Sequence, residues 1–168
     1  MTPHPEKERL LKRIRFWMAV FIVSLVISGV TAFPIKWEMD IAMKWVPMFP
    51  AFVQTWMQTV HQGVSETWTN YPFIPYGTDW LAFGHIVIAL FFFGPYKDPV
   101  RNIWVIEAGM IACVLVLPLA LIMGAVREIP FWWRLVDCSF GVFGFIMLWW
   151  IRSLIVRVGG TGQQVYRS

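Results

Sequence analysis

Three histidines, ten carboxylates and two cysteines are the groups in this chain able to do acid–base, ligand or thiol chemistry. His85 stands out because it falls inside an apolar stretch, about six residues from its start, or about 9 Å along a helix. An imidazole at membrane depth is costly without a partner. Ala82, Gly84 and Ala89 surround it. Small residues leave room for a close helix neighbour or for a flat macrocycle whose metal takes a ring nitrogen. Three uses follow: structural hydrogen bonding, ligation of haem, or ligation of a chlorophyll-type pigment. Trp80, Phe83, Phe91 and Phe92 offer packing for a macrocycle, a bound lipid or an isoprenoid tail. A bis-histidine haem asks for a second ligand, for which the candidates are His61 and His4, and His4 falls on the wrong side of the membrane. His61 lies on the polar face of an amphipathic pattern, where solvation is the plain expectation.

Glu107 sits about five residues inside another apolar stretch. It can snorkel toward Arg101 or Lys97, or bond a neighbouring helix. A proton relay needs a chain of such groups, and the run from Met110 to Met123 offers none. Arg134 and Asp137 stand at i,i+3, a spacing that lets them pair. Asp137, Gly141, Gly144 and Leu148 share one stripe, which reads as a small-residue packing seam with a polar anchor. Cys113 and Cys138 both fall in apolar runs and read as small hydrophobes rather than a disulfide or a zinc site. There is no GxSxG motif, and Gly159-Gly160-Thr161-Gly162 lacks the strand and helix context of a phosphate loop. No catalytic or metal constellation is complete, so the expectation is a chain that is not an enzyme.

The elements that carry these residues follow from composition. Hydrophobic residues make up 58% and charged residues 14% of the 168 positions, and the mean hydropathy is +0.59. A soluble domain carries about 25% charge, so too little charge remains to coat a water-facing surface. The net charge of +4 is no nucleic-acid signal, because the basic residues cluster at segment ends.

A span needs about 20 mainly apolar residues, and stretches 16–33, 79–94, 102–124 and 131–151 qualify. Pro34 and Pro95 are expected to end the first two, Pro118 to kink the third, and Pro130 to precede the fourth. Thr78 and Asp79 are N-cap candidates for the second. Ten Lys and Arg fall on one side of these spans and four on the other. The positive-inside rule then places both termini in the cytoplasm of a cell whose inner membrane holds the chain.

Residues 34–78 are then an outer segment with two helical patterns. In 52–68, Val53, Trp56, Met57, Val60, Val64 and Trp68 recur at three- and four-residue spacing opposite a polar face. A shorter pattern places Trp37, Ile41 and Trp45 together. Such helices lie on lipid or hold a partner, with Trp56 and Trp68 as the expected anchors.

The fold expected is an all-α integral membrane protein. It has four transmembrane helices and one or two interfacial amphipathic helices, with 1–156 as one domain and 157–168 as a flexible tail. The function expected is a non-catalytic subunit that stabilises a larger membrane complex, of the energy-converting kind found in photosynthesis or respiration. The partners expected are the lipid bilayer and other membrane subunits. The alternatives are a haem- or pigment-binding electron carrier using His85 and, more weakly, a small transporter.

Overall fold

The computed structural model describes residues 5–165, with side chains described through residue 159. The chain is 86% helical, without strands among the described residues. It has four helices long and apolar enough to cross a membrane: Pro5–Ala32, Pro75–Lys97, Ile103–Val126 and Phe131–Gly159. The protein is therefore an all-α, multi-pass membrane protein.

Helix α1, Pro5–Ala32, carries Glu6 and Glu8 in its first turn, where the helix dipole favours negative charge. It stops because Phe33 precedes Pro34, and a residue before proline disfavours helical backbone. Helix α2, Ile35–Ala42, follows at once. A 3-10 turn at Val46–Met48 holds Pro47, whose missing N–H costs nothing in a first turn. Helix α3 runs Ala51–Asn70. Gln54 closes the corner between them by donating from Nε2 to the Phe49 carbonyl at 2.7 Å.

Helix α4, Pro75–Phe91, begins four residues before the expected span, so neither Thr78 nor Asp79 caps it. Pro75 occupies the first position, where its fixed φ suits a helix and no N–H is needed. The span also continues past Pro95. This proline falls in the first turn of a short helix α5, Phe93–Lys97, so it breaks no backbone bond. Helix α6, Ile103–Pro118, ends at its proline and passes into a wider turn. Leu119–Met123 is a π turn directly after the proline, and the short helix α7, Gly124–Val126, completes the span. Glu128 then turns the chain at φ 58°, with the Ile129 N–H donating back to the Gly124 carbonyl at 2.9 Å. Helix α8 runs Phe131–Val165. Its backbone stays helical through residues 157–165, where the sequence predicts a loose tail, because successive turns there keep the helix already nucleated upstream.

The chain resolves into two compact units. Among the described residues, one comprises those up to Val23 together with those from Leu90 onward. Its core is a stripe of α1, Ile14 and Met18, with Ile106 of α6 and Leu148, Ile151 and Leu154 of α8. The other is Ser24–Ala89. In it α2 and α3 pack together, and Val46, Ala82 and Ala89 are buried.

Candidate functional site

In the unit from Ser24 to Ala89, His85 is half-buried on α4. Its Nδ1–H donates to the Leu81 carbonyl one turn back, at 2.9 Å. The small residues beside it are spent on helix packing. A Cβ placed on Gly29 of α1 would lie 2.7 Å from the Ala82 carbonyl oxygen and 3.1 Å from the His85 Cβ. On the Ala82 side, therefore, α1 fills the space in which a flat ring would have to stand. Nε2 remains the nitrogen not used by this backbone bond.

His61 is not simply solvated. Its Nε2 meets Asp40 Oδ1 at 2.8 Å, tying α3 to α2, while the other Asp40 oxygen accepts from Lys36 Nζ at 2.8 Å. The Lys36 ammonium, first, and His61, second, hold the Asp40 carboxyl below its ordinary value. Asp40 is a site residue that the sequence does not reveal as His61's partner, since 21 positions separate them. The i,i+4 spacing to Lys36 is the one visible signal.

Trp56 and Trp68, the expected anchors, are half-buried within their own chain along with the rest of their stripe. Trp68 lines a groove of about 170 Å³ with Ile35, Val64, Ile74 and Pro75. The aromatic surface left uncovered is a neighbouring one. Trp37, Trp45, Met48, Phe49 and Phe52 are between 51% and 77% exposed. The amphipathic pattern does announce the stripe, but a helix packs its most regular apolar face inward first.

In the other unit, Gly141 and Gly144 of α8 face Cys113 of α6. A Cβ at Gly141 would stand 2.6 Å from the Cys113 carbonyl oxygen, and one at Gly144 would stand 2.9 Å from its Sγ. Cys113 and Cys138 are free thiols. Glu107 reaches neither Arg101 nor Lys97. It accepts from Arg152 Nε of α8 at 2.9 Å, joining α6 to α8, with the two side chains 43% and 41% exposed. The pair opens on an apolar groove of about 340 Å³ between the same helices, lined by Ile111, Val114 and Phe145 among others.

Arg134 does not pair with Asp137. Its stem lies over Gly124, 2.8 Å from where a Cβ would be, and its Nε donates to the Ile129 carbonyl at 2.7 Å. The carbonyl left open by the turn after α7 takes the donor that sequence spacing assigns to the carboxylate. Asp137 is left half-buried within a span, with no ion pair or hydrogen bond to its side chain among the described residues.

Among the described residues no group of three or more His, Cys, Asp or Glu side chains is placed to hold a metal ion. The side-chain ties His61–Asp40 and Glu107–Arg152 each join two helices. No family model, curated relative or solved structure matches this sequence.

Proposed function

We propose that the protein is a non-catalytic integral subunit that docks against and stabilises a larger membrane assembly. Asp137 carries the reading. A carboxylate at the depth of a spanning helix is expensive unless a cation or hydrogen-bond donor meets it. Arg134, the cation nearest in sequence, is committed to the Ile129 carbonyl. A basic or hydrogen-bonding side chain on a partner's helix would supply what no described side chain of this chain gives Asp137. Exposed Phe140 and Phe143, on the same helix as Asp137, offer it apolar contact.

The exposed aromatic corner of Trp37, Trp45, Met48, Phe49 and Phe52 gives a second surface for the same assembly. The ten-to-four distribution of basic residues supports a reading in which that corner lies outside an inner, cytoplasmic membrane and both termini lie in the cytoplasm. An energy-converting assembly of the respiratory or photosynthetic kind is the setting we put forward for this abundance of membrane aromatics.

The test is affinity purification of the full chain from its native membrane in mild detergent, comparing the wild type with Asp137→Asn and Asp137→Leu. A stoichiometric partner is expected with the wild type and is lost or weakened with Asp137→Leu. Recovery of the wild type solely as a monomer, or unchanged partner recovery with both variants, overturns the reading.

A further inference from the structure

Lys7, Leu11 and Arg15 recur every fourth residue on α1 and so line one face of it. In the structure this face meets two other chain segments of the same unit. The turn Lys97–Val100 after α5 is one, and Val158 with Gly159 on α8 is the other. Together they form a groove of about 390 Å³. Lys7 is half-buried there, while Arg15 and Lys97 are exposed. None of these three cations makes an ion pair or a side-chain hydrogen bond among the described residues. The single acid in the lining, Asp98, already accepts from the Arg101 backbone N–H at 3.1 Å and so fixes the turn. Three cations against one carboxylate leave the groove with a net positive charge.

Its depth is equally specific. Arg15 is the last charged residue before the apolar run of α1, and Lys97 is the last residue of the span Pro75–Lys97. Both therefore stand where hydrocarbon gives way to headgroups. Leu11, Val100 and Val158 give the groove an apolar wall beside its cations. A free anion would use the cations alone. A molecule with a phosphate and a glycerol-linked chain would use both.

We infer that this groove binds the phosphodiester headgroup of an anionic glycerophospholipid. The three cations meet the phosphate, and the aliphatic wall meets the glycerol and the first part of an acyl chain. Basic pockets between membrane helices bind anionic headgroups in this way. Convergence of three chain segments separates it from the diffuse field of basic residues at a membrane surface. The inference concerns the isolated chain and does not depend on the subunit reading.

The experiment is native mass spectrometry of the full chain in dodecylmaltoside, titrated separately with dioleoylphosphatidylglycerol, dioleoylphosphatidylcholine and inorganic phosphate. Phosphatidylglycerol is expected to be retained in preference to phosphatidylcholine, and millimolar phosphate is expected not to displace it. Arg15→Gln with Lys97→Gln should weaken phosphatidylglycerol binding about thirtyfold, from about three-quarters of a decade per lost charge. The control pair Lys12→Gln with Arg13→Gln removes the same charge from off the groove and should leave binding within about twofold of the wild type. Equal loss in the control pair would reduce the site to a general surface charge and sink the inference. Equal retention of phosphatidylcholine, or displacement by phosphate alone, would overturn it as well. Should the Gln pair lose helix by circular dichroism, the wild type decides: phosphatidylglycerol retention must fall as sodium chloride rises, and salt-independent retention refutes the site.

Discussion

Between α6 and α8, glycines bring one helix against the backbone of the other, and a Cβ at Gly141 would stand 2.6 Å from the Cys113 carbonyl. Between α2 and α3 no residue of either helix is fully buried, and beside the half-buried apolar stripe stands a polar tie, His61 to Asp40, with Lys36 on the other Asp40 oxygen. The difference follows from the solvent each pair faces. In lipid, apolar side chains gain little by leaving their surroundings, so association rests on close approach and on small residues. At a polar boundary an amphipathic helix keeps its polar groups solvated and can use them as ties. One seam is therefore sensitive to added volume, the other to charge.

The largest effect should come from adding one methyl group to the seam. Gly141→Ala is expected to destabilise the α6–α8 pair by about 2 kcal/mol, since the obstacle is backbone and cannot rotate away. Thermal unfolding in detergent would measure it. Gly63→Ala on α3 is the matching probe of the amphipathic region, where nothing stands within 4 Å of the added Cβ. That variant should gain about 0.5–1 kcal/mol from helix propensity. Similar losses at both positions would erase the contrast.

A smaller effect is expected from the ion pair that joins the same two helices. Glu107→Gln leaves Arg152 charged beside an apolar groove and should cost about 1–2 kcal/mol, reduced from a buried pair because both side chains are over 40% exposed. Adding Arg152→Gln should recover part of that loss, and the double-mutant cycle measures the coupling directly. Additive losses would mean the contact contributes nothing.

The smallest effect should appear with acid in the amphipathic region. Lys36 and His61 depress the Asp40 carboxyl below 3.8 in the fold. Its contribution to the α2–α3 contact is thus fully present above that ordinary value and is lost as pH falls through the lower, folded value. A fluorescence titration reading Trp37 and Trp45 should show a transition below pH 3.8, and Asp40→Asn should remove it. The α6–α8 seam should not follow this titration. A transition that persists in Asp40→Asn would assign the acid response elsewhere.

Much of the fold is legible in the sequence because it is local. The four spans follow from runs of apolar residues, and α3 follows from the spacing of Val53, Trp56, Val60 and Val64. The span ends are less legible, because Pro75 and Pro95 look like breakers but sit in first turns, where a proline needs no N–H. The candidate site is less legible still. The i,i+3 spacing of Arg134 and Asp137 allows a pair, yet the turn at Glu128 exposes a carbonyl that takes the guanidinium first.

The sequence by itself determined a helical membrane chain, its crossings and the presence of an amphipathic segment, since hydropathy and periodicity are properties of neighbouring residues. Only the tertiary structure decided that His61 meets Asp40, that Glu107 meets Arg152 across 45 positions, and that Lys7, Arg15 and Lys97 share a groove. Those meetings depend on how far each helix is rotated and slid against its neighbour. That register is set by which small residues permit backbone contact and by how the π turn after Pro118 shifts the face presented beyond it.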